Sequence, residues 1–513
     1  MAKTGLLICS NPLRLLRLFP QIQRDIQNTL YVHFFLSPIQ DKKNIRNKFM
    51  LVNAYENLNP LNIDVRVLLC GLKGTVKYGI ATKRPVDIIY YEKHIQSEQI
   101  ATLVSLLNNK APDYKTVPVQ TAEDNDFFET ETSNAYDKLD SNLYENVVLG
   151  GTFDRLHKGH KILLSTAALK CTKKLTVGVT DTSMLKSKKL WELIEPCEIR
   201  IKNVKGFLKD IDPTLEYDVL PIYDIYGPTI HDSTFQMIVV SEETTKGGEM
   251  INENRINVGL KPLDIIPVPL LKENKTLIDC CEEEENKISS SNYRMRMLGT
   301  LIKPPQPKND LEPHPYIIGL TGGIASGKSS IANLLKEKGA FIINADSQAH
   351  GLYDINQPAY QPIIETFGVE ILTANKEVDR KKLGSIVFSN KDQLNKLNNI
   401  MWPLILERIK NVIRSTKNYD IFVLEAAVLL TANWQNSCHE VWVTIVPPTE
   451  AIVRLQNRNN LSEEEALKRI NSQPSNSEYL ESANILFSTL WSYKCTQIQL
   501  NKAWNDLISR ISK

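Results

Sequence analysis

Between Ile317 and Ser330 the chain reads IIGLTGGIASGKSS. Gly322 and Gly327 have four residues between them and are followed by Lys328 and Ser329, which satisfies G-x-x-x-x-G-K-[ST]. Each residue type has a chemical reason. The glycines let the backbone turn sharply and bring its N–H groups close to phosphate oxygens. A helix beginning at once aims its positive dipole end at the same anion. Lys328 is then expected on the β- and γ-phosphates of ATP, and the Ser329 hydroxyl on Mg²⁺. The predicted nucleotide-binding set is Gly322, Gly323, Ile324, Ala325, Ser326, Gly327, Lys328, Ser329 and Ser330. The competing reading, an ordinary glycine-rich turn, does not explain the apolar run before it or the helical pattern of Ile331–Lys338 after it.

A second group lies in NVVLGGTFDRLHKGH, residues 146–160. His157 and His160, three apart, share one face of a first helical turn. Gly159 between them leaves room for a nucleotide against the backbone. Two imidazoles could hold a metal, but no third ligand is near, and zinc takes three or four. They could instead donate hydrogen bonds to phosphate oxygens where charge develops. A purely structural pair is the bland alternative.

The elements that must position these groups are legible as strand–turn–helix units. Val147–Leu149 reads as a strand, Gly150–Gly151–Thr152 as the turn, with a helix starting near His157 or Lys158. Leu175–Val179 and Met237–Val240 read as buried parallel strands, with Asp181 and Ser241–Glu243 just past their carboxyl ends, where open α/β sheets place ligands. Ala340–Ile343 reads as a short strand leading to Asn344 and Asp346, and an acid at that place can accept an acceptor hydroxyl's proton. Residues 1–115 alternate apolar runs (Leu6–Cys9, Leu30–Phe35, Val65–Cys70, Val86–Tyr91) with helix-like stretches such as Ser97–Asn109, an α/β pattern without site residues.

Two stretches read as linkers: the acidic segment from Lys115 to Asn146, and KPPQPKNDLEPHP, Lys303 to Pro315, whose prolines sustain neither helix nor central strand. They divide the chain into 1–145, 146–303 and 316–513, with no visible internal repeat. Apolar content of 42% and charged content of 23% suit a globular protein, and 61 basic against 59 acidic side chains give no global field pointing to nucleic acid. No apolar run approaches the ~20 residues that span a bilayer. The eight cysteines lack metal-ligand spacing and are expected reduced, with CCEEEENK (280–287) a solvated loop. The first acid is Asp25, after Lys3, Arg14, Arg17 and Arg24, a start compatible with mitochondrial targeting or with a folded, cytoplasmic strand and helix.

The residues at 146–160 carry a family resemblance. H-x-G-H after a strand ending G-G-T-F-D resembles the Rossmann-like HIGH-motif nucleotidyltransferases, and Ile288–Arg294, ISSSNYR, resembles their second motif, with Ser291 where Thr is commoner. Lys186 in DTSMLKSKKL, with DVLPIYDIYGPT and IVVSEETTKGGEMINENR, is similar to the phosphopantetheine adenylyltransferase branch. The resemblance implies that the phosphate of 4′-phosphopantetheine attacks the α-phosphorus of ATP. It implies Thr152, His157 and His160 on the reacting phosphates and Lys186 on the acceptor phosphate. Ser290 and Arg294 would hold the β/γ end of ATP, with Gly151, Phe153, Ser241, Glu242, Ser289 and Ser291 completing that nucleotide site. As a member of a charge run, Lys186 could equally be plain surface charge.

The C-terminal segment resembles dephospho-coenzyme A kinase, through the phosphate loop, YQPIIETFG (Tyr360–Gly368), VDRKKLGSIVF (Val378–Phe388) and the helical RNNLSEEEALKRINSQ (Arg458–Gln473). That resemblance implies Asp346 as base, Arg380 toward the substrate, and Arg458 and Arg469 on a lid over ATP. Three positions depart from the family pattern: Asn344 and Glu425 where it has Asp, and Trp402 before Pro403 where it has His. Together the two resemblances, in order, are similar to the bifunctional coenzyme A synthases, with dephospho-CoA as intermediate and CoA as product. A kinase whose middle segment is only a binding or scaffold module is the competing reading. For residues 1–145, peripheral contacts with a membrane surface or a protein are the role left open.

Overall fold

The computed structural model describes residues 2–35, 45–57, 63–76, 79–120, 142–273 and 281–511. The architecture is α/β throughout, built on three five-stranded parallel sheets.

The first sheet comprises β1 (Ala2–Cys9), β2 (Ile26–Phe34), β3 (Asp64–Leu68), β4 (Val86–Glu92) and β5 (Lys110–Val119), in the order β3-β2-β1-β4-β5. Helices α1 (Leu15–Ile22), α2 (Ile45–Asn57) and α3 (Ser97–Leu106) accompany it. Leu6–Cys9 is completely buried, as a central strand covered on both faces requires. The acid-free start therefore supplies the middle of a sheet, and cleavage within it would remove that strand. The expected linker begins later than Lys115. β5 runs through Val119 as a mostly exposed edge strand with Pro112 and Pro118, so it lacks the apolar signature of its neighbours. The acidic residues 121–141 lie outside the described residues.

The second sheet comprises β6 (Tyr144–Gly151), β7 (Cys171–Thr180), β8 (Glu216–Ile222), β9 (Met237–Ser241) and β10 (Asp264–Val268), ordered β10-β9-β6-β7-β8. Its helices are α4 (Lys158–Lys170), α5 (Cys197–Ile211), α6 (Thr245–Asn257) and α7 (Ser290–Met297). Counted from its own first strand, each of these two sheets has the order 3-2-1-4-5. The fold thus repeats where the sequence shows no repeat, because topology survives without shared side chains. The two sheets lie in one compact unit, Met1–Asn274 with Glu285–Tyr293. One continuous core serves both, joining Leu7, Val32 and Tyr55 to Val147, Ile162 and Phe207.

The second compact unit, Lys275–Glu284 with Arg294–Lys513, holds the third sheet. Its strands β11 (Tyr316–Gly322), β12 (Phe341–Asn344), β13 (Ile421–Glu425), β14 (Glu440–Ile445) and β15 (Ile485–Ser488) are ordered β12-β13-β11-β14-β15. The helices are α8 (Lys328–Glu337), α9 (Ala345–Ala349), α10 (Tyr360–Phe367), α11 (Arg380–Ser389), α12 (Lys391–Ser415), α13 (Pro448–Asn459), α14 (Glu463–Asn471), α15 (Asn476–Ser482) and α16 (Tyr493–Ile511). Ile318, Leu320, Leu335, Val423, Trp442 and Phe487 form its core. The stretch Arg458–Gln473 holds the end of α13 and the whole of α14. Asn460 at φ +53° ends α13, and Ser462 with Glu465 forms the capping box that opens α14.

Two expectations about cysteines and acids are corrected. Cys281 is bonded to Cys495 of α16. Sequence spacing hid this pairing because 214 residues separate the two. The acidic run is only partly solvated: Glu284 is 5% exposed and paired with Arg296, and Glu283 accepts the Ser492 N–H at 3.0 Å. Among the described residues no helix is long and apolar enough to cross a membrane.

Candidate active sites

The loop leaving β6 is held in an uncommon conformation. Phe153 and Arg155 take φ of +50° and +46°, and Phe153 is fully buried. A Cβ on Gly151 would lie 3.0 Å from the Phe153 ring, so this glycine lets the ring fold under the strand end. Arg200 of α5, 1% exposed, fastens the loop from behind. It donates to the carbonyls of Thr152 (2.7 Å), Thr180 (2.9 Å) and Glu195 (2.7 Å). The guanidinium's fork can satisfy three carbonyls on different segments at once. Sequence reading missed Arg200, since nothing marks one arginine in an amphipathic helix as buried. Thr152 Oγ1 accepts from Thr180 Oγ1 at 3.3 Å.

His157 is the N-cap of α4. Its Nδ1 accepts the His160 N–H at 3.4 Å, and its Nε2 sits 3.3 Å from Ser290 Oγ, which itself donates to the Asp154 carbonyl at 3.1 Å. These partners select the neutral tautomer with hydrogen on Nε2. The His157 and His160 rings stack at 3.7 Å, and Tyr293 lies beyond His157 at 5.7 Å. A Cβ on Gly159 would come within 3.2 Å of the His157 ring. The structure thus gathers His157, His160 and Ser290 around one helix start. Ser289 Oγ accepts the N–H of buried Asn292, Ser291 lies in the first turn of α7, and Arg294 is buried on that helix.

Other expected members stand further out. Ser241 caps the turn after β9 through Thr244, exposed Glu242 accepts the Leu270 N–H at 3.4 Å, and Glu243 pairs with Lys287. Lys186 is exposed and makes no hydrogen bond or ion pair among the described residues.

Lys158, at the first position of α4, was not anticipated. Burial is the main cause pulling its ammonium down to about 8, against Glu273 and Glu56 and with Lys161. Lys161 reaches the first sheet: its Nζ lies 2.5 Å from Asp64 Oδ1 and 3.0 Å from the Val65 carbonyl. Asp64 also holds Arg66 at 2.7 Å, and Arg66 reaches Asp210 of α5, which accepts the Tyr31 hydroxyl at 2.8 Å. Burial pushes the Asp64 carboxyl up, but Lys161 and Arg66 together hold it below its usual value.

In the second unit, the phosphate loop follows β11. Gly322 and Gly327 have φ of +145° and +90°, and a Cβ on either would strike Thr444 or Thr489. Only glycine fits both. Ala325 also has positive φ, Ser326 Oγ bonds Thr444 Oγ1 at 2.6 Å, and the Ile324 N–H donates to Gln473 at 2.6 Å. Lys328 Nζ folds back onto the carbonyls of Gly322 (2.9 Å) and Gly323 (3.0 Å), while Ser330 lies in the first turn of α8. Burial lowers the Lys328 ammonium, partly offset by Glu425 and Asp346, with Arg458 adding to the lowering. Arg454, overlooked in the sequence, ties Ala325 to Thr489 at 3.1 and 2.6 Å.

Glu425 at the end of β13 accepts from Ser329 Oγ at 2.9 Å and from Asn344 Nδ2 at 3.0 Å. Two departures from the family pattern therefore face each other as an amide–carboxylate pair. Asp346 is exposed beside them on α9. Arg458 and Arg469 are both exposed, on α13 and α14, and Arg380 lies over Tyr353 at 5.2 Å.

The dephospho-CoA kinase profile matches residues 316–489, and a cytidylyltransferase-like profile matches residues 148–296. A dephospho-CoA kinase of Syntrophus aciditrophicus is 37% identical over 38% of this chain and 83% of its own length. One from Carboxydothermus hydrogenoformans is 41% identical over 36% of this chain and 90% of its own. A solved dephospho-CoA kinase structure from Campylobacter jejuni is 29% identical over 38% of this chain and 98% of its own, at a TM-score of 0.31. Fold and sites together define an α/β protein that joins a cytidylyltransferase-like domain to a P-loop kinase domain. The chain belongs to the dephospho-CoA kinase family. The pairing of its two domains fits the bifunctional coenzyme A synthase architecture.

Proposed function

We propose that the chain transfers an adenylyl group from ATP to 4′-phosphopantetheine and then phosphorylates the ribose 3′-hydroxyl of the dephospho-CoA formed. One observation supports this most: a single chain carries two helix starts built to face phosphate, α4 behind His157 and α8 behind Gly327. In the first step a phosphate oxygen of 4′-phosphopantetheine attacks the α-phosphorus of ATP, the bond to the bridging oxygen breaks, and pyrophosphate leaves. No protein nucleophile is needed, so positioning and charge stabilisation carry the rate. Thr152, His157, His160 and the ordered Ser290 hold the reacting phosphates, with Arg294 on the far end of ATP and Lys186 on the acceptor.

In the second step the 3′-hydroxyl gives its proton to Asp346 and attacks the γ-phosphorus, and ADP leaves. Lys328 turns from the loop carbonyls to the phosphates, and Arg458 and Arg469 close over them. Ser329 Oγ and the Glu425 carboxylate are hard oxygen donors that fit Mg²⁺ and would hold it. The bound ion would neutralise charge on the β- and γ-phosphates.

The test supplies each substrate separately. Wild type should release pyrophosphate from ATP and 4′-phosphopantetheine and form CoA. His160→Ala should lose pyrophosphate release yet still phosphorylate supplied dephospho-CoA, and Lys328→Ala should accumulate dephospho-CoA. Wild type that phosphorylates dephospho-CoA but releases no pyrophosphate would leave only the kinase reading.

A further inference from the structure

The first sheet repeats the strand order of the second, yet the crevice at its own carboxyl edge is furnished differently. After β1 the chain passes through Ser10 and Asn11 directly into Pro12–Arg14 and α1, with no counterpart of the histidine loop. Strand order reverses between β1 and β4, and open parallel sheets bind ligands beyond the carboxyl ends at such a switch point. There a cavity of about 300 Å³ is lined by Arg14, Leu18, Glu92, Lys93, His94 and Gln120.

Its polar groups are only partly used within the fold. Glu92, 3% exposed, closes β4. Its Oε2 accepts both the N–H and the hydroxyl of Ser10, at 2.9 and 2.6 Å. Its Oε1 accepts no hydrogen bond among the described residues and faces Arg14 Nη1 at 3.8 Å. Arg14 Nε is likewise buried with no acceptor. His94 is held between Arg14 Nη1 and Ser10 Oγ, each at 3.4 Å from a different ring nitrogen. Burying polar atoms without partners destabilises a fold, a cost that a ligand can recover.

We infer that this crevice is a third ligand site, taking a nucleoside monophosphate. Arg14, Lys93 and His94 supply cationic and donor groups for a phosphate. Glu92 Oε1 is the open acceptor for a sugar hydroxyl. The volume is at the small end of ligand pockets and suits one nucleotide, not two.

Peptide-resolved hydrogen exchange on the full chain tests this, because it reads residues 10–18 and 92–95 separately from the other two sites. Titrated AMP should protect both stretches saturably, and inorganic phosphate should do so at least tenfold more weakly. Arg14→Ala and Lys93→Gln should each weaken the AMP effect at least fivefold while both enzymatic activities persist. Lys93 is exposed, so its variant reports even if Arg14→Ala fails to fold. No protection at millimolar AMP, or protection unchanged in Lys93→Gln and Arg14→Ala, overturns the site. AMP binding no tighter than phosphate overturns the nucleotide assignment.

Discussion

At the end of β13, Glu425, Asn344 and Ser329 form one hydrogen-bonded unit. The Glu425 carboxylate reaches Ser329, and the amide at 344 meets it without the repulsion a second carboxylate would bring. Glu425→Gln should therefore reduce the kinase step by about 10- to 100-fold and weaken Mg²⁺ binding comparably, with pyrophosphate release unaffected. Magnesium titrations of both half-reactions would measure this. Lys158 gives a pH signature at the other site. Its charge adds to the anion-attracting start of α4 below about pH 8 and is lost above it, so kcat/KM for ATP in adenylyl transfer should fall through that pH. As a base whose folded value is depressed, it opposes folding while charged. Its contribution to stability therefore rises as pH climbs from about 8 toward 10.5, opposite to activity. A Lys158→Gln chain should be less active at pH 7 and lack the step near 8. Motif residues such as Gly322, Lys328 and His157 were legible because their chemistry demands fixed spacing. Arg200, Arg454 and the pairing of Glu425 with Ser329 and Asn344 were not, because these contacts join segments distant in sequence.

At the scale of elements, α4 is held from two sides: His157 and Ser290 at its start, and Lys161 one residue past His160, clamped to Asp64 of β3. The first sheet is thus a brace for the helix that carries the histidines. Asp64→Ala leaves a buried ammonium without its carboxylate and should destabilise the first unit by about 3 kcal/mol. It should also slow adenylyl transfer while leaving the kinase step intact. The double variant Asp64→Leu/Lys161→Met should recover most of the stability, as calorimetry on the three chains would reveal. Equal slowing of both half-reactions would sink the brace. Strand and helix placement was mostly readable, since buried parallel strands are continuous apolar runs and helices carry caps. β5 was not, because an exposed edge strand carries no apolar run. The break at Asn460 is written in N-N-L-S-E-E-E, where a left-handed Asn is followed by a Ser-x-x-Glu capping box.

At the scale of the molecule, the division into two compact units does not follow the proline-rich stretch. The first unit takes residues 285–293 back after the chain has given 275–284 to the second. What composition displayed was a change of texture at 303–315. What it concealed was that cooperative packing had already changed hands earlier.

The Cys281–Cys495 bond gives that stretch an unexpected property. It closes the intervening chain, Pro304–Pro315 included, into a covalent ring. A protease that nicks the ring there opens a loop without releasing a fragment. After such a cut the protein should run as one band on a non-reducing gel and as two bands once thiol is added. Two bands without thiol would show that the ring is not closed in the sample. Where it is closed, a backbone break is silent until the sulfurs are reduced, and the integrity of the polypeptide becomes a matter of redox chemistry.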